Sequence, residues 1–237
     1  MRRYPKYVPV AEKKKRNKEK IEKLEKLMDI SPIKVEKRKI AHSWWGEAWI
    51  DNLEIYADYS NRLARGRKYL RYGAVANLDI EKGDIKGIVI GSSKKYYEIS
   101  ISIDTLEEEK RNNLVKKIKK RISSLEELVQ GEFPKELKGL LKSKENNLFP
   151  KAKEINFLCS CPDYAKMCKH IVAILYGVGV KLDQDPLLLF KLRGIDIDYI
   201  IDKTIENKSN DLLDKSSESS DRVIENSEVN DLFDMDF

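Results

Sequence analysis

All three cysteines of the chain, Cys159, Cys161 and Cys168, fall within ten residues, and one of its two histidines, His170, stands just beyond them. A Cys-x-Cys pair, a six-residue gap and a Cys-x-His pair constrain the fold strongly, because four such side chains have a common chemistry only if they converge. Borderline-soft Zn²⁺ is held best by thiolate and imidazole ligands in a closed tetrahedron, and the spacing predicts that geometry. Cys159 and Cys161, two apart, project to one side of an extended strand or knuckle. Cys168 and His170 straddle one residue at the mouth of the apolar run Ile171 to Tyr176, where a helix is expected to begin. Between the pairs, Ser160-Cys161-Pro162-Asp163-Tyr164 is turn chemistry, since proline fixes φ and aspartate bonds back to the backbone.

Other uses of these residues fit less well. A disulfide needs an oxidising compartment, leaves one of three cysteines unpaired and does not explain the histidine. A catalytic Cys-His pair has no need of two further thiols. An iron-sulfur or redox-metal site uses the same ligands, but the compact spacing is more typical of zinc. With four protein ligands the coordination shell is full, so the metal is expected to hold shape and not to activate water.

The remaining composition describes a highly charged chain. Of 237 residues, 41% are hydrophobic and 36% charged, the latter well above the usual quarter, which predicts long exposed helices and tails. No run approaches eighteen apolar residues, so no membrane span is expected. The start, Met1 to Val10, is basic but leads into Glu12-Lys13-Lys14-Lys15-Arg16, unlike a secretory signal. Metal-spaced thiols without others point to a reducing, cytoplasmic setting. The net charge of +6 hides a polarity: residues 1–40 carry 15 Lys/Arg against 6 Asp/Glu, and residues 211–237 carry 9 Asp/Glu against Lys215 and Arg222. A basic head and an acidic tail suit nucleic-acid binding with a self-competing or partner-binding tail; a solvated helix and a disordered end account for the same charges.

Hydropathy divides the chain into a basic helical arm (1–40), an α+β core (41–150), a finger with C-terminal helices (151–206) and a disordered acidic tail (207–237). Glu12 to Met28 reads as a charged helix with a thin apolar stripe. In the segment from His42 to Ile50, Trp45, Trp49 and Leu53 share a helical face, predicting a buried helix docked on the strands in preference to a base-stacking platform, with His42 a capping or surface residue. Val75 to Ile80, Ile85 to Ile90 and Tyr96 to Ile103 alternate as a three-stranded antiparallel meander. A helix follows from Asp104-Thr105 through Ile122, with short helices at Ser124 to Gln130 and Pro134 to Lys142. Glu154 to Leu158 extends into the first cysteine pair. The helix from Lys169 is expected to stop at Gly177 and Gly179, and Asp185-Pro186 to open another. Ahead of the meander, Arg62, Arg65, Arg67, Lys68 and Arg71 interleave with Tyr69 and Tyr72, a pattern suited to phosphate contact and base stacking.

Leu158-Cys159-Ser160-Cys161-Pro162-Asp163-Tyr164 with Cys168-Lys169-His170-Ile171-Val172-Ala173 resembles the SWIM zinc finger. Trp44-Trp45-Gly46-x-x-Trp49, the run from Asn61 to Tyr69, Leu148-Phe149-Pro150 and the stretch from Asp185 to Gly194 are similar, in the same order, to prokaryotic stand-alone SWIM proteins, over roughly residues 40–203; Ala64 stands where that family often has proline. The resemblance implies a DNA-binding or protein-interaction module whose gene often neighbours helicase-like remodelling ATPases. The expectation is a non-enzymatic, zinc-binding, nucleic-acid-associated adaptor, or else a protein-interaction subunit of a helicase-like ATPase complex. No phosphate-gripping glycine loop and no motif-placed carboxylate pair points to an enzyme.

Overall fold

A computed structural model describes residues 7–35, 39–91, 96–119, 138, 139, 141 and 148–196. Six helices and one antiparallel sheet make up these parts: α1 (Val10–Glu25), α2 (Trp44–Glu54), α3 (Ser60–Arg71), β1 (Val75–Glu81), β2 (Asp84–Ile90), β3 (Tyr96–Ile103), α4 (Glu108–Lys119), β4 (Ile155–Cys159), α5 (Lys169–Gln184) and α6 (Leu187–Leu192). The short helices expected between 124 and 142 and the acidic tail fall almost wholly outside the described residues.

The alternating strands form as their pattern requires, but the meander gains a fourth member. Strand order is β1-β2-β3-β4, and β4 is the segment that leads into the first cysteine pair. Its register decides where the metal ligands go. Leu78 pairs with Gly87, Gly87 with Ile99, and Ile99 with Cys159, so these four lie in one row across the sheet. Residues in such a row share a face. At Gly87 a side chain would run into Ile174 of α5, which identifies this as the face covered by that helix. Cys159 is therefore turned toward the helix that carries His170.

Helix α5 is buried on almost every side, from His170 through Gly179 and again at Leu182. A helix apolar all round must be covered all round. The sheet takes one side; α2 and α3 take the other. Gly177 and Gly179 do not end this helix, contrary to the stop expected from the sequence, and it continues to Gln184. Their role is close approach. A Cβ on Gly177 would sit 3.1 Å from Leu78 of the sheet, and one on Gly179 would sit 3.0 Å from Ile50 of α2.

The tryptophan helix packs against α5 and not against the meander. Trp45 and Trp49 are buried, and the Trp49 indole N–H donates to the carbonyl of Leu175 at 2.9 Å. Trp45 meets Phe190 of α6 edge-on at 5.8 Å and carries Trp44 stacked on it at 3.9 Å. Full burial stabilises a large apolar side chain by roughly 1.5–3 kcal/mol, and rings so enclosed are withdrawn from base stacking. The start of α2 is fixed by Asp183: its carboxylate accepts from the backbone N–H of His42 (2.6 Å) and of Ser43 (2.9 Å), while Ser43 Oγ accepts from Gly46 N–H as the cap. The His42 side chain is exposed.

One buried charge ties the C-terminal end to the rest. Arg193 is completely enclosed; its guanidinium donates to the carbonyl of Asp104 and to the Glu154 carboxylate at 3.2 Å, and its own carbonyl accepts from Leu106 N–H at 3.0 Å. It thus joins α6 to the loop before α4 and to the entry of β4.

Two substitutions test this packing. Gly46→Ala puts a Cβ 2.6 Å from the Gly179 carbonyl and from Asp183 Oδ1, so α2 must lift off α5, and chemical denaturation should show a loss of about 1–3 kcal/mol. Arg193→Ala leaves Glu154 without its buried partner and should cost about 3–5 kcal/mol by the same measurement.

Candidate metal centre

The end of β4 and the start of α5 bring the four expected ligands together. Beyond Cys159 the chain turns through Ser160, whose backbone N–H donates to the Glu98 carbonyl at 3.0 Å and whose hydroxyl accepts from Glu98 N–H at 3.0 Å. This double clasp on β3 fixes the knuckle. Cys168 is the N-cap residue of α5, its carbonyl accepting from Val172 N–H at 3.0 Å, and His170 lies in the first turn. The three sulfurs and the imidazole nitrogen lie within 4.8 Å of one another, and His170 Nδ1 is 3.9 Å from both Cys159 Sγ and Cys168 Sγ. Tetrahedral zinc separates its ligand atoms by about 3.8 Å for two sulfurs and about 3.5 Å for sulfur and nitrogen, so only small shifts are needed to enclose the ion. The residues fit a metal, and zinc in particular.

The electrostatics have the same character. Cys168 is brought down to about 4 by a hydrogen bond from the Cys159 thiol, with His170 and the backbone N–H groups of Ile171 and His170 adding to it at the positive end of α5. Cys159 is pushed well up, because its proton is held in that bond to Cys168 and because it is partly buried; burial pushes Cys161 up as well. Of the three thiols, Cys168 is the one most readily deprotonated. Zinc bound by Cys159, Cys161, Cys168 and His170 would supply a cross-link between sheet and helix, with no coordination position left for water.

Aromatic rings hold the imidazole. Tyr97 of β3 stacks on His170 at 4.4 Å with planes 27° apart, and Tyr69 of α3 meets it edge-on at 5.2 Å. Neither tyrosine is recognisable from the sequence as part of the site, since Tyr97 depends on the β3-β4 register and Tyr69 on how α3 crosses α5. Asp163, in the ligand loop, is the other unexpected participant: it accepts from Arg62 of α3 at 3.0 Å.

The cationic helix α3 divides its five expected phosphate contacts. Arg62 is taken up by Asp163. Arg67 donates to Glu54 at 2.6 Å and to the Tyr176 hydroxyl at 3.0 Å, and that hydroxyl donates to Glu54 at 2.5 Å. Burial and the Glu54 carboxylate raise Tyr176 above the ordinary phenol range, keeping it a neutral donor. Arg71 is half-buried and lines the same cavity as Arg67, beside Glu54 and Tyr176. Arg65 and Lys68 are exposed and turn toward α1, and among the described residues neither forms an ion pair. Arg62 and Arg67 thus belong to the packing of α3, while Arg65 and Lys68 belong to its surface.

No family model matches the chain. It is 34% identical over 156 residues to the uncharacterized protein Rv2102 of Mycobacterium tuberculosis (strain ATCC 25618 / H37Rv). The shared stretch is 65% of this chain and 56% of that protein, so the chain spans a little over half of the relative's length. No solved structure matches. Among the described residues no helix is long and apolar enough to cross a membrane.

Elemental analysis of protein purified without added metal should find one zinc per chain, and His170→Ala or Cys161→Ala should abolish it. Because structural zinc sites contribute on the order of 10 kcal/mol, chelation should accelerate amide exchange in β4 and the first turns of α5, leaving the β1-β2 hairpin protected for longer.

Proposed function

We propose that the protein is a non-enzymatic, zinc-stabilised adaptor of the SWIM type that associates with nucleic acid, DNA in particular, in the cytoplasm. The observation that carries this reading is the closed Cys159, Cys161, Cys168 and His170 cluster, joined through Asp163 and Arg62 to a helix whose outer face presents Arg65 and Lys68. A metal enclosed by four protein ligands serves as a rivet for a recognition surface, not as a Lewis acid. Arg65 and Lys68, without carboxylate partners among the described residues, suit a polyanion.

A second reading, a protein-interaction subunit of a helicase-like ATPase complex, draws on two exposed apolar residues beside the finger. Leu158 is 71% exposed, and Tyr164 is fully so. Side chains of this kind at a rigid knuckle suit a protein partner.

Fluorescence anisotropy with labelled DNA and the zinc-loaded full chain separates the two. The adaptor reading expects duplex binding that weakens about 40- to 500-fold between 50 and 200 mM salt for three to five neutralised phosphates. Absence of DNA and RNA binding at low salt would leave the protein-interaction reading.

A further inference from the structure

Helices α1 and α3 run past one another with a groove between them of about 340 Å³. Its walls are cationic: Lys13, Arg16 and Lys20 from α1 face Arg65 and Lys68 from α3, and no carboxylate is among the described lining residues. The spacing is not incidental to one side. On α1 the cations recur at three and four residues, about 4.5 Å and about 6 Å along the axis, and on α3 they recur at three. The floor differs in kind, being made by the rings of Tyr69 and Tyr72 with the aliphatic Ala74 and Ile90.

The arm is fixed in place and yet keeps its charge turned inward. Asn17 of α1 donates to the Tyr72 carbonyl at 3.0 Å, and the Lys20 ammonium donates to the Gly91 carbonyl at 3.2 Å. The Lys13 ammonium lies 5.8 Å from the centre of the Tyr72 ring. Arg16 pairs with Glu12 on its own helix, a carboxylate that is not among the groove's described lining residues. Burial, and after it the neighbouring Arg16 guanidinium, lower Lys20 below the ordinary lysine range. Five like charges thus line one groove, and no carboxylate is among its described lining residues.

We propose that the groove between α1 and α3 is a track for single-stranded nucleic acid, with phosphates on Lys13, Arg16, Arg65 and Lys68 and a base against the Tyr72 ring. This rests on the nucleic-acid reading above and narrows it to a site and a strand form. The two-sided cationic wall recognises a phosphate chain. The apolar, aromatic floor decides against a duplex, which keeps its bases stacked inside and offers such a floor nothing to touch, whereas a single strand turns base faces outward. The volume is also of small-molecule scale, suited to a nucleotide and its neighbours and not to the width of a double helix. Tyr69 links the floor to the metal centre through its edge contact with His170, so the track is shaped in part by the cluster.

The experiment compares fluorescein-labelled oligo-dT with a hairpin duplex of equal length, by anisotropy on the zinc-loaded full chain. The proposal expects tighter binding of oligo-dT. Arg65→Glu with Lys68→Glu, both exposed and checked for folding by circular dichroism, should weaken it by about 30-fold or more at 50 mM salt. A charge-matched control, Lys18→Glu with Lys86→Glu, lies outside the groove lining and should weaken it by no more than about 3-fold through net charge alone. Tyr72→Ala should cost about 10-fold while Tyr72→Phe is nearly neutral, the signature of stacking. Equal losses in the groove and control pairs would remove the groove while leaving nucleic-acid association standing. Tighter binding of the hairpin would overturn the single-strand assignment. Failure of both nucleic acids to bind at 50 mM salt would overturn this proposal and the nucleic-acid reading together.

Discussion

The burial of α5 is the constraint around which the rest of the molecule is arranged. A sixteen-residue helix with apolar residues on every face has no stable position at a surface, so it requires a sheet beneath it and helices above it. Glycines set how close these neighbours come. Gly87 lets the sheet receive Ile174, and Gly46 with Gly179 brings the α2 backbone almost against that of α5. Interaxial distance in helix packing follows the side chains at the contact, and here a glycine stands on each helix, so small changes of volume are felt directly by the elements that carry the ligands.

The candidate metal cluster sits where the N-terminus of this buried helix meets β4, an edge of the sheet. Its N-terminus would otherwise present unsatisfied N–H groups in a nearly dry environment, and the Cys168 sulfur takes up part of that positive potential. With zinc bound, the cluster would do two jobs with one set of atoms, closing a helix end and joining two layers. This is the arrangement expected of a metal that maintains shape, with buried Met167 and Ile171 on either side of Cys168 and His170.

How much could be read in advance depended on how local the cause was. The ligand set was legible because coordination chemistry restricts residue type and spacing within ten positions. The alternating strands and the buried tryptophan face were legible for the same reason. The partner of that face was not: Trp49 reaches Leu175, 126 residues away, and nothing in the helix itself distinguishes a sheet from another helix as its support. Gly177 and Gly179 were misread because a glycine that ends a helix and a glycine that admits a neighbour look the same in one dimension. The arginine run was legible as cationic but not in its division, since Arg62 finds Asp163 at a separation of 101 residues and Arg67 finds Tyr176 at 109.

The contacts of Arg62 and Arg67 have a consequence for α3 as a rotating body. A helix turns by about 100° per residue, so a helix held at one point on its surface can still roll. Arg62 and Arg67 grip different neighbours, the ligand loop on one side and the Glu54 and Tyr176 pair on the other, and together they fix the angular phase of the helix. Arg65 and Lys68 are aimed by residues that never touch what they face. A single inserted residue between Arg62 and Arg67 would set the two grips in conflict, and the helix would have to surrender either its hold on the finger or the direction of its free cations.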